Sequence, residues 1–361
     1  MRRSIRFATA GVLAAACFAC GPPPTPAASP PTLGSASPLP PVCAYDNIRV
    51  LPASFDPANG QPDPPPTSTR PPPNVQNDLT AAFALAPQFF RTELCTLNGL
   101  YITPGAESWG YRNPVNGHRF VALSMNLWNG SGPAKTYSAY HDEVLHRLLR
   151  GWLGLGHNPD RGNPADTPAM NVLAVLAHEY GHVLFYDTFK PLGGSVNYSN
   201  FCGGTFFSDS WQTLPTPPNW RLFGVPDGVH KPDDAQTTEL VNLAGPVPSD
   251  PIRTSALANR LYSLTGTGAP TGRWASLFAT FSPDEDFVET FKHFVLRNAV
   301  GRPLQSMPVR VYDPTVTPTA YTTHNIPGTC SQRPVLVHKL SCFAQRFCAT
   351  QPSPDACSRC P

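Results

Sequence analysis

His178-Glu179-Tyr180-Gly181-His182 sets two imidazoles and a carboxylate within one helical turn of each other, inside an apolar run. On a helix, residues i and i+4 share a face with side chains about 5–6 Å apart, so both imidazoles can reach one metal ion. The carboxylate that follows the first histidine then faces a water on that metal. Zinc lowers the pKa of such a water to about 7, and a glutamate can take its proton to leave a hydroxide nucleophile. The pattern predicts one Zn2+ held by His178 and His182, with Glu179 as general base, in a hydrolase that acts on peptide bonds. The plain alternative is a buried helix with two satisfied histidines. The coincidence of both histidines, the glutamate and a helical pattern weighs against it.

That geometry needs a helix. Residues 171–189, NVLAVLAHEYGHVLFYDTF, carry Val172, Val175, Leu176, Val183, Leu184 and Phe185 at helical spacing. Thr167-Pro168 supplies an N-cap and a proline at the first helical position. Gly181 inside this helix costs about 1 kcal/mol relative to alanine. Its missing side chain leaves room for another segment to approach the metal-bearing turn.

Catalytic zinc takes three protein ligands and leaves a fourth position for water. One large class finds its third ligand in H-E-x-x-H-x-x-G-x-x-H. Here Phe185 and Thr188 stand at the glycine and histidine positions, so that class is excluded. The other source is a glutamate on a second helix. Residues 282–291, SPDEDFVETF, carry Glu285 and Glu289 at i and i+4, on one face. One can bind the metal while the other accepts the N–H of a ligating imidazole and fixes its orientation. Ser282-x-x-Glu285 with Pro283 also reads as a capping box, in which case Glu289 is the ligand. Glu285 is the preferred ligand. Glu239 sits in a polar stretch, and Asp187 is too near along the same helix to close a site.

HEYGH followed by EDFVETF resembles the gluzincin arrangement of the anthrax lethal-factor type. It is more similar still to bacterial lipoproteins described as zinc-binding metallopeptidases. The resemblance spans 178–294 through two short motifs, with WGYR at 109–112 upstream. It implies a zincin-like fold and a zinc bond from Glu285, which matches the first glutamate of that family's E-F-F-A-E-A-F helix. Lethal-factor-type enzymes also carry a tyrosine shortly before this helix to stabilise the oxyanion, whereas residues 277–281 read LFATF. Such a donor is worth roughly 3–4 kcal/mol. Tyr262 and His293 are the candidates for it.

The rest of the chain supplies an address and a frame. Arg2, Arg3 and Arg6 precede an apolar stretch at 7–19, as in an export signal too short to stay in a bilayer. AAACFACG at 14–21 resembles a lipoprotein lipobox, with Cys20, or alternatively Cys17, as the lipidated residue. Ten cysteines less these two leave eight, an even number suited to disulfides in an oxidising compartment. The expected location is therefore a bacterial membrane surface or periplasm through a lipid anchor, or plain secretion. Cys357-x-x-Cys360 reads as part of this disulfide set rather than a second zinc site. Net charge is +2 with 14% charged residues, which gives no field for nucleic acid. The 45 prolines concentrate at 21–41 and 62–73, extended sequence that forms no core.

Four regions are expected: a signal over 1–20, a proline-rich tether over 21–75, a metallopeptidase body over 76–325 and a cysteine-rich extension over 326–361. The body should be α+β and zincin-like, a small mixed sheet followed by a helical lobe with the HExxH helix and the glutamate helix. Strands are expected at 99–103 and 119–128, and helices at 78–86, 137–153, 251–262, 272–281 and 283–298, with one amphipathic segment, PVLVHKLSCFAQRF, among the last cysteines. Residues 190–250 read as irregular. The strand at 119–128 is either an edge that pairs with an extended peptide or an ordinary core strand. His141 and His146 fall on different helical faces and make poor joint ligands. Trp109 and Trp128 read as packing. The partner expected is a peptide or protein substrate. Two rival functions remain: a surface binding lipoprotein with a vestigial zinc site, and a zinc hydrolase of non-peptide amides. The intact Glu179 speaks against the first, and no carbohydrate-binding pattern supports the second.

Overall fold

The computed structural model describes Arg49–Val50, most of 70–140, 166–192, 197–213 and 275–300, and all of 220–222, 307–312, 321–326 and 334–348. The signal with Cys17 and Cys20, His141, His146, Glu239, Tyr262, the helix expected at 251–262 and Cys357-x-x-Cys360 lie outside the described residues.

The described residues form an α+β body. Its sheet has the order β1-β2-β4-β3: β1 (Arg49–Val50), β2 (Gly99–Thr103), β4 (Arg119–Ser124) and, at the far edge, β3 (Trp109–Arg112). The first three run parallel and β3 is antiparallel to β4, so the sheet is mixed. Successive side chains alternate faces. Leu100, Ile102, Val121 and Leu123 join the main core, while Tyr101, Phe120 and Ala122 form a smaller cluster on the other face, covered by Trp109 and Tyr111.

Two strand expectations need correction. The run at 119–128 stops as a strand at Ser124, because the Ser124 hydroxyl accepts from the Asn126 N–H and caps a 3-10 turn at Met125–Leu127. Of its two readings the core strand holds: it is interior, flanked by β2 and β3, and the edge beside it is β3, the WGYR segment not read as a strand. Trp128 is a packing residue as expected. Its indole donates to Asp78, which also accepts from the Ala134 N–H.

Helices α1 (Pro73–Leu85) and α2 (Gln88–Leu94) precede β2, and β1 is paired too, so the folded body reaches into the range read as tether. α1 buries Val75, Leu79 and Ala82, one stripe at helical spacing. The central element is α3 (Pro168–Phe189), capped by Thr167, whose hydroxyl accepts from the Met170 N–H at 3.1 Å. Most of it is buried between α1, the sheet and α4 (Pro283–Val300). α5 (Pro334–Phe347) covers the far side of α4 through Phe287, Phe291, Phe294 and Phe343. Two further antiparallel pairs are present, β5 (Trp211–Thr213) with β6 (Trp220–Leu222), and β7 (Met307–Tyr312) with β8 (Tyr321–Ile326).

Polar ties fix α3 against its neighbours. Arg112 and Arg119, opposite each other on β3 and β4, both pair with Asp187 at 2.9 Å. Arg112 also donates to the Lys190 carbonyl at the helix end. At the other flank the Tyr180 hydroxyl donates to Glu93 of α2. Asp187 is thus a sheet-to-helix tie and takes no part in the metal cluster. In the range 272–281 the described residues hold a bend and a 3-10 turn at Phe278–Thr280, not an α-helix. There the Ser276 hydroxyl accepts from the Ala279 N–H, a local bond that competes with helix continuation.

Two glycines set the approach distances. A Cβ on Gly181 would lie 3.1–3.4 Å from Val288, so the room left on α3 is filled by α4. A Cβ on Gly110 would lie 1.7 Å from the carbonyl oxygen of Glu179, so only glycine lets β3 rest on the HExxH turn. Gly110→Ala is expected to push the strand off the helix, at about 1–3 kcal/mol or more for an overpacked contact with backbone. A lowered thermal midpoint in a melting experiment checks this, and an unchanged midpoint would contradict it.

Candidate metal centre

His178 and His182 project from the same face of α3 with ring centroids 5.0 Å apart. The helix brings them together because both sit on its α4 side, where Gly181 lets the two helices close. α4 presents Glu285 to both rings: one carboxylate oxygen is 3.8 Å from His178 Nε2 and the other 3.7 Å from His182 Nε2. Zinc bonds of about 2.0–2.2 Å in a tetrahedron leave neighbouring donor atoms roughly 3.3–3.6 Å apart, so the two distances from Glu285 need close only slightly. Glu285 is buried, and its Oε2 has no hydrogen-bond partner. A buried carboxylate oxygen without a partner costs about 1–3 kcal/mol or more, a cost that a metal ion at this point would remove. The described residues thus contain groups that can hold a metal ion, His178-Glu179-His182 and His182-Asp284-Glu285, which share His182. A donor set of two imidazoles and a carboxylate fits zinc.

Glu289, one turn further along α4, stands differently. Its Oε1 is 2.6 Å from His178 Nδ1. Lys292 Nζ donates to both its oxygens at 2.5 and 2.6 Å, and the Ser276 hydroxyl donates to Oε2. With its oxygens so engaged, Glu289 holds the Nδ1–H of His178 and leaves Nε2 to face Glu285. Such partners of a ligating imidazole fix its tautomer and raise its basicity. The capping box forms only in part: the Ser282 hydroxyl accepts from the Glu285 N–H at 3.3 Å, while the Glu285 carboxylate is turned to the histidines.

Charge at the site follows from burial and neighbours. Burial pushes Glu179 up to about 7, against the pull of His178 and Lys292 and with help from Glu107 and Glu289. A base poised near neutrality is suited to taking and returning a proton. Burial likewise carries Glu285 up to about 8. Burial would lower His178, but the Glu289 hydrogen bond and the surrounding carboxylates raise it to about 9. Burial and the charge on His178 hold His182 down to about 3. Against its own burial, Glu289 is held well below the usual carboxylate range by Lys292 and His178.

A pH dependence follows. Without metal, His178 carries its second proton below about 9 and Glu285 carries one below about 8. A metal must displace those protons, so zinc affinity should fall as pH drops through this range, with proton release on binding. Titration calorimetry in two buffers of different ionisation enthalpy counts the protons released. Affinity that does not change between about pH 6 and 9 would contradict the assignment.

Sequence reasoning missed Asp284, Lys292 and Ser276. Asp284 lies within reach of His182 and Glu285, and the acidic triplet Asp284-Glu285-Asp286 was its signal. Lys292, three residues after Glu289, was legible as an i, i+3 ion pair. Ser276 belongs to a turn that no periodicity marks. His293 is buried on α4, one turn past Glu289.

A third cluster, Cys202-His338-Cys342, is closed by the Cys202–Cys342 disulfide. Thiolates are the sulfur ligands of metals, so this bridge serves the fold. Cys348 is also disulfide-bonded. Among the described residues no helix is long and apolar enough to cross a membrane.

No family model, no curated protein and no solved structure matches the chain. The class that the site defines is therefore read from its own residues.

Proposed function

We propose that the chain is an exported zinc metallopeptidase, gluzincin-like in its ligands and zincin-like in its fold. The proposal rests above all on Glu285, whose buried oxygens stand 3.7 and 3.8 Å from the Nε2 atoms of His182 and His178 while Oε2 has no hydrogen-bond partner. His178, His182 and Glu285 would hold one Zn2+, which when bound supplies Lewis acidity toward a scissile carbonyl and acidifies the attacking water.

The chain's own groups do the rest. Glu179 takes the proton of the attacking water on its carboxylate and returns it to the leaving amine. Glu289, with Lys292 and Ser276 on its oxygens, keeps the His178 ring in one tautomer and one orientation. β3 is the sheet edge that rests on the HExxH turn through Gly110, so an extended peptide can add to it as a further strand across the site. His293 and Tyr262 are the candidate donors to the oxyanion. Lipidation at Cys20, or at Cys17, would hold the enzyme at a membrane surface.

A peptide library tests the activity. Cleavage should be abolished by a chelator and restored by zinc. A zinc-loaded chain that cleaves no peptide would move the reading to a binding lipoprotein or to a hydrolase of non-peptide amides.

A further inference from the structure

One residue past Glu285 on α4, about 100° round the helix, Asp286 makes a buried ion pair with Lys339 of α5. The Lys339 ammonium lies 2.8 and 2.6 Å from the two carboxylate oxygens, and both residues are completely buried. The Trp211 indole N–H donates to the same carboxylate at 2.9 Å, and the ammonium stands 5.7 Å from the centre of the Phe206 ring. The ring neighbours of this pocket, Phe206, Phe287 and Phe343, are apolar and closed to water. A buried pair of this kind gains little net stability, because desolvating two charges offsets most of their attraction, and apolar replacements of both partners are often neutral or better. A net gain in stability is therefore a weak reason for the pair.

Its place on the helix gives a stronger one. Asp286 follows Glu285 directly, and successive helical residues point about 100° apart. One grips α5 and Trp211 while the other faces the histidines of α3. A carboxylate held roughly 5–6 Å from the helix axis moves by about 1 Å when the helix rolls by about 10°. Metal sites need their donors held to about 0.5 Å. Pro283 and Ser282 cap this turn, and Phe287 and Val288 pack the next one on α3. We infer that Asp286 and Lys339 are positioning residues: their pair fixes the roll of the first turn of α4, and thereby sets the Glu285 carboxylate at the metal. This rests on the zinc reading given above.

The test is zinc affinity of the full chain, measured by competition with a chelator. Asp286→Asn/Lys339→Met removes both charges and keeps an acceptor for Trp211. It should fold with a melting midpoint near the parent's and bind zinc about 10- to 100-fold more weakly, the range found when the groups that orient metal ligands are lost. Lys339→Arg keeps the charge and should recover most of the affinity. A folded double variant that binds zinc as tightly as the parent overturns the inference. So does a double variant that fails to fold, since the pair would then belong to the stability of the core. Lys339→Arg as weak as the double variant overturns it too. A parent chain that binds no zinc is a different result, and removes the metal site itself.

Discussion

Glu179→Gln keeps one zinc per chain and loses peptide hydrolysis by a factor of about 100 to 10,000, the span that a positioned general base contributes. Glutamine has nearly the same shape, so the contacts of Glu179 with the HExxH turn survive. Its amide cannot accept the proton of the attacking water. The fold is not at risk, because burial already raises this carboxyl to about 7 and a neutral group suits its surroundings. None of the three donor atoms of the proposed zinc site belongs to Glu179. Metal analysis and library cleavage on the same preparation read both halves of the expectation. Cleavage at parental rate by the variant would assign the base to another residue.

Glu285→Ala and Glu289→Ala separate by zinc retention. Apparent zinc affinities of about 10–16 kcal/mol spread over four ligands give roughly 2.5–4 kcal/mol for each, so loss of Glu285 should weaken binding by about 70- to 1,000-fold. Loss of Glu289 removes only the group that orients His178, and about 10- to 100-fold is expected. The Glu289 variant also leaves the Lys292 ammonium without its carboxylate, which lowers stability more than metal affinity. Equal retention by the two variants would sink the division of roles between them.

The part of this site that is local in sequence was legible, and the part that depends on distant partners was not. HEYGH needs only helical spacing to bring its imidazoles together, and Thr167-Pro168 marks the helix start. Glu285 and Glu289 were visible as a pair because i and i+4 share a face. Their division of labour was not, since it depends on Ser276 and Lys292 engaging one carboxylate and on the histidines facing the other. In the fold, the four-residue WGYR segment has too little alternation to read as a strand, and it becomes one by pairing with β4. The apparent strand at 119–128 breaks at Ser124 because a single hydroxyl captures a backbone N–H. Lys339 and Trp211 meet Asp286 across separations of 53 and 75 residues, which no local pattern encodes.

Zinc-edge anomalous scattering from crystals of the zinc-loaded chain addresses the metal centre directly. The expected result is one strong peak about 2.0–2.2 Å from His178 Nε2, His182 Nε2 and a Glu285 oxygen, with Glu289 one imidazole ring away. A peak bound to Glu289 in place of Glu285 would reverse the roles of the two carboxylates. No peak between α3 and α4 at saturating zinc would contradict the account.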